Sequence, residues 1–274
     1  MSKNSSLVIL VPSDLLYANL IAKDLIRAFP DEVSLIIESD SMIHGQGLLG
    51  SLKTYLDVSG FAYLSSEATK EYLYKFRQFL LNCCASNNKE KHVFYSFRAL
   101  ARKHKIPILK SRGINASVLE IIKKKNPDMI ISVYFQHTLG KKLLSAPKIG
   151  ALNIHPSLLP RYRGISPVFW ALANAEKESG VTVHFINGGI DSGDIVSQKT
   201  IPITPTDTEH SLFLKCSMEG ALMLTQAIRQ IRTQPLSRIR QQQEGNYYSL
   251  PTAEAVARFL RSGRRFYRLR DFFV

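Results

Sequence analysis

Cysteine is scarce in this chain: three in 274 residues, at positions 83, 84 and 216. An odd count with an adjacent pair does not make a disulfide framework, and no Cys-x-x-Cys metal pattern is present. A reducing compartment is the simplest expectation. No apolar run reaches the ~18 residues that a membrane-crossing helix needs. The leading Met-Ser-Lys-Asn-Ser-Ser lacks the shape of a secretory signal. A soluble cytoplasmic protein is therefore expected. The first strand-to-helix turn, Val11-Pro-Ser-Asp-Leu-Leu16, contains no Gly-x-Gly and so no glycine cradle for a phosphate. Acidic residues are few beside basic ones, 22 against 36, which leaves a net charge of +14. Such a chain is drawn to polyanions, whether nucleic acid, anionic membrane or phosphorylated substrates, and charge alone does not choose among them. With 45% hydrophobic and 21% charged residues, the composition suffices for one sizeable core and excludes global disorder.

The stretch that organises the rest is Ala151-Leu-Asn-Ile-His-Pro-Ser-Leu-Leu-Pro-Arg-Tyr-Arg-Gly164. It begins as a short apolar strand and ends in a proline-bounded turn. Alternate side chains of a strand share a face, so Asn153 and His155 point the same way. Pro156 ends the strand because it cannot donate to a ladder. An amide and an imidazole thus stand together at a strand's carboxyl end, where open α/β sheets bind ligands. A second polar loop, Asn187-Gly-Gly-Ile-Asp191-Ser-Gly-Asp194, supplies a carboxylate. Asn153, His155 and Asp191 suit acyl transfer without a covalent nucleophile. The amide holds a carbonyl oxygen, the imidazole donates a proton or hydrogen bond, and the carboxylate helps remove a proton. This reading requires the Asp191 carboxylate within about two hydrogen-bond lengths of the imidazole. No second His or Cys stands at ligand spacing from Asp191, so no metal is expected there. Ser157 lacks the surroundings of a hydrolase nucleophile.

The run Asn-x-His-Pro-Ser-Leu-Leu-Pro-x-Tyr-x-Gly, with Gly180-Val-Thr-Val-His184 and Gly189-Ile-Asp-Ser-Gly-Asp194, resembles the folate-dependent formyltransferases. That family includes methionyl-tRNA, glycinamide ribonucleotide and sugar N-formyltransferases. The likeness is strong from about Ser96 to Pro202. It implies a Rossmann-like, doubly wound, mostly parallel α/β sheet, 10-formyltetrahydrofolate as formyl donor, and Asn153, His155 and Asp191 as catalytic residues. It also implies that the loop Phe135, Gln136, His137, Thr138 and Leu139 and the turn Ser157, Leu158, Leu159 and Pro160 line the pterin pocket.

Periodicity along the chain suits that fold. Ser6–Pro12, Val33–Glu38, Ile106–Leu109 and Asp128–Tyr134 read as strands, with Val181–Ile186 and Ile195–Ile203 as a hairpin. Helices are expected over Leu15–Ala28 (capped by Ser13 or Asp14), Phe94–Lys105, Ser117–Lys125, Ile165–Glu176 (opened by Ser-Pro) and Thr206–Ile231, the last with Asp207 and Glu209 in its first turn. Ser41–Gly60, dotted with glycines after His44, reads as a loop, either a substrate-side flap or an ordinary surface loop. The aromatic stretch Thr69–Cys84 reads as a helix, open to sheet packing, homodimer contact or membrane-surface docking. Trp170 and His184 read as structural. The Lys123–Lys125 cluster fits a solvated helix end or a contact with RNA phosphates.

The expected division is a catalytic unit over 1–205, with a helical insertion at about 48–92, and a helix plus basic tail over 206–274. From Arg229 onward ten residues are basic and three acidic. This arm is either solvated and packed by its aromatics, or binds a phosphorylated acceptor, tRNA or membrane. The short helical tail and the single basic residue, Lys53, in Ser41–Gly60 favour a small amine acceptor such as an amino-sugar nucleotide. Methionyl-tRNA and glycinamide ribonucleotide remain alternatives, as do a formyltetrahydrofolate hydrolase and a non-catalytic folate- or RNA-binding paralogue.

Overall fold

The computed structural model of the chain describes residues 5–13, 15–39, 46–84, 96–231, 233–242 and 245–272. Asp14, His44, Gly45 and the 85–92 part of the expected insertion lie outside the described residues. The elements run β1 (Leu7–Pro12), α1 (Leu16–Ala28), β2 (Val33–Ser39), α2 (Leu48–Cys84), α3 (Phe97–Lys103), β3 (Ile108–Lys110), α4 (Ala116–Lys124) and β4 (Met129–Val133). They continue with α5 (Lys141–Leu144), β5 (Gly150–His155), β6 (Arg163–Gly164), α6 (Pro167–Ala173), β7 (Glu178–Phe185), β8 (Ile195–Pro202), α7 (Glu209–Gln230), β9 (Tyr247–Tyr248) and α8 (Ala253–Arg261).

Seven strands form one sheet in the order β3-β2-β1-β4-β5-β7-β8. The first five are parallel, and β7 and β8 add an antiparallel edge. It is an α/β, Rossmann-like sheet with helices on both faces. Strand alternation sorts the apolar side chains. Leu7, Ile9 and Val11 of β1 join Ile131, Val133, Leu152 and Ile154 in a large cluster with α1, α6 and α7. Val8 and Leu10 face the other way, with Ile130, Ala151 and the α4 residues Val118 and Ile122. Burying one such Leu or Ile is worth about 2 kcal/mol, so this period-two sorting sets the register of every inner strand.

Asn153 and His155 have the parity of Ala151, beyond the apolar part of that face. The antiparallel edge matters for the site. It sets His184 of β7 opposite Asn153 and Thr182 opposite His155.

Four local expectations are corrected. Leu48–Ser59 is helical, not loop, and α2 breaks only at Gly60 (φ 79°, ψ 170°), a conformation suited to glycine. Tertiary contacts stabilise this segment: Tyr63 is buried edge-on against Phe169 and Phe266, and its hydroxyl meets Ser166 Oγ at 3.0 Å. Helix α1 carries no side-chain cap, because Leu15 occupies the capping position one residue beyond Asp14. Ser166 does precede Pro167 but has left-handed backbone angles (φ 52°) that turn its hydroxyl away from the helix amides. Asp207 precedes the first turn of α7. The cap is Thr208, in a reciprocal pair with Ser211, while Asp207 accepts from Thr204 N and Lys215 Nζ.

Lys70 is buried against Glu209, and Tyr72, Phe76 and Phe79 remain exposed. Trp170 is buried and donates to Ser249 O (2.9 Å). Cys216 is a free, buried thiol pushed up to about 12 by burial. No helix among the described residues is long and apolar enough to cross a membrane.

Candidate active site

The three polar residues singled out from the sequence converge at the carboxyl end of β5. The nearest imidazole–carboxylate contact, His155 Nδ1 to Asp191 Oδ2, is 3.5 Å, within the limit set above. Asn153 Nδ2 lies 3.4 Å from Asp191 Oδ1. Asp191 sits in the β7–β8 connection with a left-handed backbone (φ 46°), an arrangement that neighbouring contacts must hold. Its firmest bond is from Gly164 N to Oδ2 (3.0 Å).

A fourth member was read from sequence as a structural histidine. His184 is buried, its Nδ1 donating to Phe185 O (2.8 Å). With Nδ1 protonated, Nε2 accepts from Asn153 Nδ2 (3.2 Å) and lies 3.6 Å from Asp191 Oδ1. The amide of Asn153 thereby has an assigned orientation, with its NH2 toward the imidazole and the carboxylate. The sequence signals for this role were its place at the end of the Gly180–His184 motif and the two-residue period that puts His184 on the same face as Thr182.

Electrostatics follow from burial and partners. Burial alone would raise Asp191, but His155 first, and the Gly164 N–H with it, outweigh it and hold the carboxyl well below the usual carboxylate range. Asp191 is ionised at neutral pH. Burial lowers His155, opposed by Asp191 and by the Tyr162 carbonyl, with His184 adding to the lowering. His155 Nε2 lies 2.8 Å from Tyr162 O, so both ring nitrogens face acceptors. A neutral ring can donate to only one of them, whereas an imidazolium satisfies both. The site thus resists a charged ring by burial while holding two acceptors ready for one, which suits transient proton uptake. The contacts to Asp191 from Asn153, His155 and His184 are all 3.4 Å or longer and can yield to a substrate group.

The expected pocket residues are placed as follows. Phe135, His137 and Leu139 are buried; Gln136 and Thr138 are exposed. His137 Nε2 pairs with Ser39 Oγ (2.7 Å), linking the loop after β4 to the end of β2 across the end of β1. Ser157 Oγ donates to Arg161 O (2.8 Å), and Leu159 N to Thr182 Oγ1 (3.2 Å). Leu158 and Pro160 are half-buried, and the Leu159–Pro160 bond is cis. A cavity of about 190 Å³ lies below the Asp191 loop, lined by Leu144, Ile149, Gly150, Phe185, Asn187 and Arg238 among others. None of the nine expected residues lines it. Phe135 and Leu139 nevertheless share an apolar cluster with Ala151, one of its walls. Among the described residues no group of three or more His, Cys, Asp or Glu is arranged to hold a metal ion.

Set beside known proteins, this geometry has a match. The sequence profile described as formyl transferase covers residues 84–228, more than half of the chain. The chain belongs to the formyl transferase family. Methionyl-tRNA formyltransferase of Syntrophus aciditrophicus is 41% identical over 130 residues, covering 47% of this chain and 42% of that protein. The bifunctional polymyxin resistance protein ArnA of Wigglesworthia glossinidia brevipalpis is 38% identical over 151 residues, 55% of this chain and 23% of that one. The chain therefore spans less than half the length of these curated relatives. Among solved structures, glycinamide ribonucleotide transformylase 1 from Symbiobacterium toebii superposes with a TM-score of 0.57 at 18% identity, covering 88% of this chain and 95% of that one. An N-formyltransferase from Helicobacter canadensis, solved with folinic acid and dTDP-3-aminofucose, gives 0.56 at 19%, covering 89% and 70%. At these identities the likeness establishes the fold.

Proposed function

We propose that this formyl transferase family member moves a formyl group from 10-formyltetrahydrofolate to the primary amine of a small acceptor such as an amino-sugar nucleotide. The observation that carries the reading is the meeting of Asn153, His155 and Asp191 at one strand end, with an ionised carboxylate 3.5 Å from an imidazole. The acceptor nitrogen attacks the formyl carbon, and the carbonyl oxygen becomes an oxyanion. Asn153 Nδ2 and a protonated His155 donate to it, exchanging their long contacts with Asp191 for the substrate; one such donor is worth roughly 3 kcal/mol of barrier. Asp191 takes a proton from the attacking amine, directly or through water. The bond to the folate nitrogen breaks as that nitrogen gains a proton, with His155 as the acid, so formamide and tetrahydrofolate leave with charge balanced. Phe135–Leu139 and Ser157–Pro160 would hold the pterin, a flat, hydrogen-bonding ring that needs apolar walls with backbone donors and acceptors beside them.

A second acceptor, methionyl-tRNA, is favoured by the names of several curated relatives and by the arginine-rich tail. A product screen with 10-formyltetrahydrofolate against amino-sugar nucleotides, charged tRNA and glycinamide ribonucleotide separates these. A formylated sugar nucleotide is expected. Release of formate without any acceptor would identify a hydrolase, and folate binding without turnover a non-catalytic paralogue. Asn153→Ala and Asp191→Ala should each abolish transfer with the fold intact, and near-normal turnover in either refutes the residue assignment.

A further inference from the structure

The described parts of the tail after α7 meet the rest of the chain at two places beside the site. Ile239 pairs antiparallel with Ile195 at the start of β8, and β9 pairs with β6 at Arg163 and Gly164. Between these anchors lie two side-chain amides with unusual partners. Gln241 Nε2 donates to the carbonyls of Asp191 (3.0 Å) and Gly193 (2.8 Å), while its Oε1 accepts from Arg163 NH2 (2.6 Å). One amide thus ties the β7–β8 loop to the strand that follows the β5 turn. Asn246 Oδ1 accepts from Tyr162 N (2.6 Å), and Tyr162 is the residue whose carbonyl meets His155 Nε2. The Tyr162 ring stacks on Tyr248. One tail amide therefore holds the backbone that carries Asp191, and the other holds the backbone that orients His155.

We infer that the tail is part of the active site, with Gln241 a positioning residue that sets the His155–Asp191 separation by pinning the Asp191 main chain to Arg163, and Asn246 its counterpart on the histidine side. The chemistry demands an amide. Both carbonyls need donors and the guanidinium needs an acceptor, and a single Gln supplies all three. A Glu would oppose acceptors to two carbonyl oxygens, and a Leu of similar shape would leave all three partners unpaired. The internal bonds of the loop, Asn187 Oδ1 to Gly189 N and Ser192 Oγ, stiffen it but do not fix its distance from β6. Asp191 has left-handed angles, so its carboxylate direction depends on such outside restraint. This inference concerns the geometry of the pair and deepens the reading proposed above. Its test needs no substrate, so the two can fail separately.

The measurement is the titration of His155 by carbon-detected NMR of histidine-labelled protein, assigned with His155→Gln. Facing that ring are the Asp191 carboxylate, the Tyr162 carbonyl and His184. Gln241→Leu should move the His155 midpoint down by about half a unit or more, because the carboxylate that supports the charged ring withdraws. Gln241→Asn, one methylene short but still an amide, should give a smaller shift. A midpoint unchanged in both variants, with or without a fall in melting temperature, would overturn the inference and leave the tail a structural cover. Should Gln241→Leu not fold, Gln241→Met, unbranched, uncharged and without the donors, decides on the same criterion. Failure of both to fold also counts for a purely structural tail.

Discussion

Replacing Gly193 by alanine is a test of how tightly the catalytic loop is seated. A Cβ added at Gly193 would fall well inside van der Waals distance of the Phe185 carbonyl oxygen and 2.7 Å from its carbon, with Asn187 N 3.5 Å away. These are backbone atoms at the end of β7, and β7 is an inner strand that cannot give way. The loop must move instead, by about 1 Å, at a stability cost on the order of 1–3 kcal/mol. Gly193 O is also the acceptor for Gln241, so the displacement strains the tail contact and carries Asp191 with it. The His155–Asp191 contact, already 3.5 Å, would lengthen past the range in which a proton passes directly between the two groups. A misplacement of this size at a reacting group lowers turnover by roughly 100-fold. Gly188→Ala, in the same loop, is the control, since its added Cβ meets nothing within 4 Å. The assay is formyl transfer to the acceptor found in the product screen, beside urea denaturation of both variants. Turnover of Gly193→Ala within threefold of Gly188→Ala, at unchanged stability, would refute the reasoning.

Three further predictions concern stability. Lys70 Nζ is buried 2.7 Å from Glu209 Oε2 and 2.5 Å from Glu67 Oε1. Lys70→Met should cost about 3–5 kcal/mol by leaving Glu209 a buried, uncompensated charge, and adding Glu209→Gln should restore at least half; a single-variant cost under ~1 kcal/mol in urea melts argues against a buried pair. His210, buried with Nδ1 2.7 Å from the Tyr17 hydroxyl, is lowered to about 4, by burial first and then by Lys70. Its folded value lies below its unfolded one, so its stability contribution is full above about pH 6.5 and is lost as pH falls toward 4, by up to about 3 kcal/mol. Thermal melts from pH 7 to 4 should show this fall, flattened in His210→Gln; an equal slope in that variant would assign the loss elsewhere. Asp191 is depressed, so its contribution is present above the ordinary carboxylate range and drains away as pH falls below it. Asp191→Asn should be less stable than the parent at pH 7, with a gap that starts to narrow below about pH 4 and is still open at pH 3; a gap already closed at pH 3, or one that stays constant into strong acid, would contradict the depressed carboxyl.

Much of the site was legible because its signals are local. The period of two put Asn153 and His155 on one side, Pro156 ended the strand, and the β1, β2 and β4 runs announced a parallel core. What escaped reading depended on partners distant in the chain. The Ser41–Gly60 glycines suggested a loop, yet the part from Leu48 onward is helical in a segment whose ring contacts reach residues more than 100 positions away. Ser166 precedes a helix proline, which ordinarily marks a cap, but its hydroxyl goes to Tyr63 instead. His184 looked like one more core-facing strand residue until antiparallel pairing set it against Asn153. Gln241 sat in a polar stretch with nothing to distinguish it from Gln242 or Gln243.

Sequence alone settled the class of fold, the strand that bears the amide and imidazole, and the family, because these rest on side-chain alternation and on one contiguous motif. Only the folded chain decided which neighbours those groups keep: the second imidazole beside Asn153, the left-handed Asp191, and the two tail amides that brace the pair. Such contacts join positions 30 to 85 residues apart. They are chosen by how whole elements pack, and no short-range pattern of residues encodes them.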